Sequence, residues 1–347
     1  MAGAMGDGGE TMKLALFDCH TYDRTAFESV NAAYGHMLTF FEPRLSLATA
    51  PLAAGADVVS PFVNDRVDAD TIAALKAHGI RLIAVRAAGV NAIDLAAAAA
   101  AGLPVVRVPA YSPNAVAEHA FALLLSLVRK THRAWGRVRE GNFSLDGLVG
   151  FDLAGKTLGV VGTGRIGRVA AGIARGFGCR VLVYDISPDP AWAATVGAEY
   201  VALNALLAAS DIVSLHLPLT PQSRHLINAA ALARLPRHAI LINTSRGALI
   251  DTSALIACLK AGTIGAVGLD VYELEEGIFF ENLADQPLQD DMLARLIGFP
   301  NVLVTSHQGF LTREALSNIA ETTLENCRRL AAGEPLLYQV MPSPPVG

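Results

Sequence analysis

Three glycines in the run Gly162-Thr163-Gly164-Arg165-Ile166-Gly167 follow directly on an apolar stretch, residues 157–161, and open a helical stretch over 165–177. Few features restrict a fold so tightly. The first glycine permits a tight turn, the second lets a pyrophosphate approach the backbone, and the third lets the helix pack close to the strand. The N-terminus of that helix then faces the phosphate charge. The next apolar run, 180–184, ends at Asp185, close to the ~20 residues at which an acid reads a ribose. A carboxylate there accepts both ribose hydroxyls and repels a 2′-phosphate, so NAD is favoured over NADP. A glycine turn with an unrelated surface aspartate is the competing reading, and the strand–turn–helix context disfavours it.

The rest of the chain alternates in the same way. Residues 13–17, 56–63, 80–85 and 105–108 read as strands, with helices over 68–79 and 93–101 between them. Pro109 and Pro113 interrupt the pattern, and a long helix follows from Asn114 with Val116, Phe121, Leu124, Leu125 and Val128 on its apolar side. A second strand–helix series begins at Gly155, with strands over 157–161, 180–185, 212–217, 240–243, 266–270 and 302–305. An amphipathic helix over 315–330 closes the chain. Two series of this kind, in 347 residues, make two parallel α/β domains.

Composition excludes several function classes. With 52% hydrophobic and 17% charged residues the chain is not intrinsically disordered, and a core of this size needs no disulfide or structural metal. The mean hydropathy of +0.39 comes largely from short alanine runs, and no stretch approaches the ~18 apolar residues of a membrane span. A net charge of −5 without a basic cluster argues against nucleic acid as a partner. Cys19, Cys179, Cys258 and Cys327 stand far apart and read as reduced thiols. The Gly-rich start has no basic or apolar signal region, so a cytoplasmic protein is expected. No grouping has metal-ligand spacing, and no metal is expected.

Two further segments end at the sheet edge where open α/β folds bind ligands. In Asn243-Thr244-Ser245-Arg246-Gly247-Ala248-Leu249-Ile250-Asp251, Arg246 directly follows a strand. Its guanidinium can form two hydrogen bonds to a carboxylate, although an arginine so placed is more often a surface ion pair. Asp270-Val271-Tyr272-Glu273-Leu274-Glu275 and Ser306-His307-Gln308 also follow apolar strands. Histidine can deliver a proton to a developing alkoxide, and a carboxylate partner would hold its tautomer. Taken alone, His307 reads as an ordinary hydrogen-bonded residue.

Together these motifs resemble the D-isomer-specific 2-hydroxyacid dehydrogenase family over nearly the whole chain, and within it the fermentative D-lactate dehydrogenases. The resemblance is carried also by Arg86-Ala87-Ala88-Gly89-Val90-Asn91, by the run from Tyr111 to His119, and by Ser214-Leu215-His216-Leu217-Pro218-Leu219-Thr220. It implies a Rossmann-type NAD-binding domain, residues 111–308, inserted into a flavodoxin-like substrate domain, residues 13–110 and 309–337. Residues 1–12 would form a disordered extension and 338–347 a tail.

The resemblance makes Arg246, Glu275 and His307 catalytic. Glu275 is preferred to Glu273 because it lies five residues past Asp270, as the family glutamate does. It assigns substrate binding to Ala88, Gly89, Tyr111 and Arg246. Cofactor contacts fall to Gly162, Gly164, Arg165, Ile166, Gly167, Asp185, His216, Leu217, Pro218, Thr244, Ser245 and Asp270. The implied reaction is the reversible reduction of pyruvate to D-lactate with NADH, by a homodimer or homotetramer. A bulkier 2-keto acid (hydroxypyruvate, phenylpyruvate or 2-ketoisocaproate) is the alternative, since Ala87 and Val90 depart from the residues common in the lactate enzymes. A non-catalytic NAD-sensing protein on the same fold is a further alternative.

Overall fold

Short runs of Val, Ile and Leu form the strands, and alternate residues of one strand feed different cores. In the strands around the glycine loop, Val161, Leu182, Val213, Leu241 and Val267 enter one buried cluster, while Val160, Val181, Val183, Ile212 and Ile242 enter another. Such double-sided burial is the mark of a parallel sheet covered on both faces. Each fully buried Val or Leu contributes ~1.5–3 kcal/mol of hydrophobic stabilisation. The computed structural model describes residues 10–342. It divides into two compact units, one running to Ser112 and resuming at Leu311, the other Pro113–Phe310.

The first unit holds β1 (Lys13–Leu16), α1 (Thr21–Asn31), β2 (Met37–Phe40), β3 (Val58–Ser60), α2 (Ala69–Ala77), β4 (Leu82–Val85), α3 (Leu95–Ala100) and β5 (Val105–Arg107). The strands are parallel in the order β2-β1-β3-β4-β5, the flavodoxin-like doubly wound arrangement. Asp68 and Asp94 set the helix starts. Their carboxylates accept the backbone N–H of Thr71 (3.0 Å) and Ala97 (2.9 Å), three residues on.

The second unit opens with α4 (Pro113–Arg129) and α5 (Thr131–Arg139). It continues through β6 (Thr157–Val161), α6 (Arg165–Gly176), β7 (Arg180–Tyr184), α7 (Pro190–Val196), β8 (Ala198–Tyr200), α8 (Leu203–Ala209), β9 (Ile212–Leu215) and α9 (Ala229–Leu232). It ends with β10 (Ile240–Asn243), α10 (Thr252–Ala261), β11 (Ala266–Leu269), α11 (Asp291–Ile297) and β12 (Val302–Val304). All seven strands are parallel, ordered β12-β11-β10-β9-β6-β7-β8. The winding reverses between β6 and β9, a Rossmann-type switch point, and ligands of such sheets bind outside the carboxyl ends of the strands there. After the chain leaves this unit, α12 (Arg313–Ala332) packs on α1 in the first.

The ends of the chain differ from expectation where they are described. Residues 1–9 and 343–347 lie outside the described residues. Met12, the last residue of the expected extension, is fully buried, and its carbonyl accepts the N–H of Met37 at 2.9 Å. At the other end, Gln339 pairs antiparallel with Val106, and Val340 N–H donates to the Val105 carbonyl at 2.8 Å. The first residues of the expected tail therefore extend the β5 edge.

Candidate active site

The glycine loop joins β6 to α6, and each glycine has a different reason to be there. Gly162 has φ +96°, and a Cβ on it would overlap the His216 carbonyl at the end of β9. A Cβ on Gly167 would overlap the Gly162 carbonyl and crowd Val160, so helix and strand meet only without a side chain. Gly164 is the opposite case. A Cβ there meets no protein atom within 4 Å, so its backbone at the start of α6 is open to a ligand.

Asp185 ends β7 beside this loop. Its Oδ2 accepts the N–H and hydroxyl of Thr163 at 2.6 and 3.0 Å, and its Oδ1 accepts Ser187 N–H at 2.9 Å. Burial works against the charge, but these donors outweigh it and hold the carboxyl below its usual range. The Thr163 hydroxyl also lies 2.7 Å from Tyr200 Oη, so a second strand helps to aim the carboxylate. No local sequence signal marks this pair: Thr163 is a variable position of the glycine pattern, and Tyr200 lies 37 residues further on.

His216 follows β9 and is buried. Its Nε2 lies 2.8 Å from Ser214 Oγ, and its Nδ1 is buried without a hydrogen-bond partner. Burial pushes its pKa down to about 4. The neutral ring fits this geometry, because a proton on Nδ1 would meet nothing. Thr244, after β10, likewise buries an unpartnered Oγ1.

Arg246, Glu275 and His307 follow β10, β11 and β12, three neighbouring strands of one sheet, at their carboxyl ends. Arg246 is held in an extended conformation, with its carbonyl accepting Asn243 Nδ2 at 2.9 Å. Its neighbour Gly247 lies so close to Tyr272 that a Cβ would overlap the Tyr272 carbonyl. Glu275 Oε2 accepts Tyr272 N–H at 2.9 Å, and Glu275 Oε1 lies 2.7 Å from His307 Nδ1. Glu273, the other acid of the segment, turns away to His225 (2.7 Å), Arg224 (3.0 Å) and Thr252 (3.1 Å). The structure thus brings Glu275, and not Glu273, to His307.

His307 itself has φ +55°, a conformation that costs a non-glycine residue on the order of 1–3 kcal/mol. Asp270 holds the turn in it. The Asp270 carbonyl accepts His307 N–H (2.7 Å), while its carboxylate accepts Gln308 N–H (2.9 Å), Gly309 N–H (2.8 Å) and the Thr305 hydroxyl (2.7 Å). Asp270 is buried, which opposes its charge, but these donors together with His119 keep its carboxyl below the usual range.

The remaining expected site residues belong to the first unit. Ala88 and Gly89 follow β4; the Ala88 carbonyl accepts Arg107 Nη1 at 2.9 Å. The Tyr111 carbonyl accepts Asn318 Nδ2 at 2.6 Å. Arg86, at the head of the same loop, is buried. It donates to the carbonyls of Ser60 and Phe17, clamping the ends of β3 and β1. Its role in that motif is therefore to anchor the loop.

Residues 121–309 match the family described as D-isomer specific 2-hydroxyacid dehydrogenase, NAD binding domain. The chain belongs to that family. The dehydrogenase is 48% identical to D-lactate dehydrogenase of Escherichia coli over 93% of this chain and 98% of the relative. Its fold is similar to the pyruvate reductase of Chlamydomonas reinhardtii, with a TM-score of 0.90 and 46% identity, covering 94% of this chain and 98% of the other. It is also similar to D-lactate dehydrogenase with NAD+ from Lactobacillus jensenii, with a TM-score of 0.81 and 32% identity, covering 95% and 100%. The protein is an NAD-dependent 2-hydroxyacid dehydrogenase. Its loop fits the dinucleotide: an open backbone at Gly164, an aimed carboxylate at Asp185 and an unpartnered hydroxyl at Thr244 lie at the carboxyl edge of one sheet.

Proposed function

We propose that this dehydrogenase interconverts pyruvate and D-lactate, with Arg246, Glu275 and His307 as its catalytic residues. The carrying observation is the 2.7 Å hydrogen bond between His307 Nδ1 and Glu275 Oε1. A carboxylate on Nδ1 fixes the proton there, so Nε2 is the ring atom through which a proton passes. Protonated at Nε2, His307 gives that proton to the carbonyl oxygen of a 2-keto acid. In the reverse direction the bare Nε2 takes the proton of the alcohol. Glu275 balances the imidazolium charge, and Tyr272 N–H keeps Glu275 in place. Arg246 offers N–H donors to the substrate carboxylate. Bound NADH supplies the hydride for reduction. Asp185 would hold its ribose hydroxyls, and the backbone at the start of α6 would hold its pyrophosphate.

The choice of lactate follows the relatives named for D-lactate and pyruvate at 46–48% identity. A panel of 2-keto acids, followed by NADH absorbance and with the lactate enantiomer identified, tests it. Pyruvate should have the highest kcat/KM and give D-lactate. A higher kcat/KM for phenylpyruvate, hydroxypyruvate or 2-ketoisocaproate would overturn the substrate assignment and leave the family intact. In the same assays NADH should surpass NADPH, because Asp185 repels a 2′-phosphate. A cytoplasmic protein acting as a homodimer or homotetramer completes the proposal. The assembly is supported by the exposed apolar side chains of Trp135, Val138, Phe143, Leu145 and Val149 in α5 and the loop after it.

A further inference from the structure

His119 is the seventh residue of α4, the helix with which the chain enters the second unit, while residues 305–309 are among the last before it leaves. The two segments meet at one point. His119 Nε2 lies 3.0 Å from Thr305 Oγ1 and 3.2 Å from Asp270 Oδ1. The proton count at that point has one solution. Thr305 donates its hydroxyl proton to Asp270 Oδ1 at 2.7 Å, so its oxygen has only lone pairs left for His119. Asp270 is held as a carboxylate by its other donors and is also an acceptor only. Both neighbours of Nε2 are therefore acceptors, and Nε2 must carry a proton shared between them.

We propose that His119 is a positioning residue for the acid/base histidine. Its Nε2–H fixes the Thr305 rotor and the Asp270 carboxylate, and Asp270 holds the backbone N–H groups of His307, Gln308 and Gly309. That set of bonds keeps His307 at φ +55° with Nδ1 on Glu275. The chain of contact runs from α4 to the reacting side chain through two residues, neither of which need touch the substrate. What His119 contributes is the donor at Nε2, so an amide reaching the same place can replace it. The inference rests on His307 being the proton carrier.

The experiment measures kcat, KM for the keto acid and NADH affinity for His119→Leu, His119→Gln and Thr305→Val, beside His307→Ala. His119→Leu removes the donor and should lower kcat by ~10–100-fold, the scale of a sub-ångström to 1 Å misplacement of a reacting group. KM should stay within ~3-fold, because Arg246 lies outside this network. His119→Gln, whose amide nitrogen reaches the Nε2 position, should recover most of kcat. A wild-type kcat in His119→Leu overturns the proposal, as does a Gln variant no better than Leu. Should His119→Leu fail to fold, Thr305→Val deletes the same link from the other side and must reproduce the selective kcat loss; unchanged kcat there also overturns it. Full turnover in His307→Ala would instead remove the proton-carrier reading itself, so the two failures are separable.

Discussion

His216 shows how the surroundings of one side chain set its charge. Burial takes its pKa from the ordinary 6.5 to about 4. Between those values the unfolded chain binds a proton that the folded chain refuses. The stability is therefore complete above pH ~6.5 and is lost as pH falls toward ~4, by on the order of 3 kcal/mol at the low end. Urea midpoints measured from about pH 7 down to about pH 4.5 should drop less in His216→Gln than in wild type. Parallel curves would show that His216 is not buried as a neutral ring. The same scale separates what the sequence discloses from what it hides. Asp185 is legible because an acid after the second strand has a known spacing. Glu275 and Glu273 are equally acidic and two apart; the spacing from Asp270 favours Glu275 only through the family resemblance, and the fold adds the physical reason by committing Glu273 to His225 and Arg224. His119 and Thr305 are separated by 186 residues, and no local pattern connects them.

Among elements, the strands of the two sheets declare themselves because burial on both faces demands unbroken apolar runs. The elements that escape sequence reading lack that demand. β2 alternates exposed and half-buried residues, β8 is the three-residue run Ala198–Tyr200, and α1 buries only Asp23 and Phe27 of its eleven residues. The predicted strand over 56–63 contracts to Val58–Ser60, since pairing with β1 and β4 ends there. Close approach between loops is equally invisible beforehand. Gly247 sits directly over the Tyr272 carbonyl, so β10 and β11 can present Arg246 and Glu275 together only because position 247 has no side chain. Gly247→Ala should shift that backbone and cost ~1–3 kcal/mol. A melting temperature lower by several degrees, with a reduced kcat/KM, is the expected outcome. A variant with unchanged melting and kinetics would show the contact to be slack.

For the molecule as a whole, a chain of net charge −5 binds an anionic acid and an anionic dinucleotide. Long-range attraction does not supply this; in the proposed reading the favourable charge is local, at Arg246, at backbone N–H groups and at the start of α6. Exposed Trp135, Phe143, Leu145 and Val149 lie on another part of the second unit, and a second copy of the chain is the proposed cover. Light scattering should give twice or four times the 36.4 kDa of one chain. A monomer at micromolar concentration would exclude that assembly. The central claim concerns chemistry and has a more direct test. With His307→Ala, NADH titration by fluorescence should give a Kd near that of wild type, while pyruvate reduction should fall by ~10²–10⁴-fold. Wild-type turnover in that variant would contradict the account.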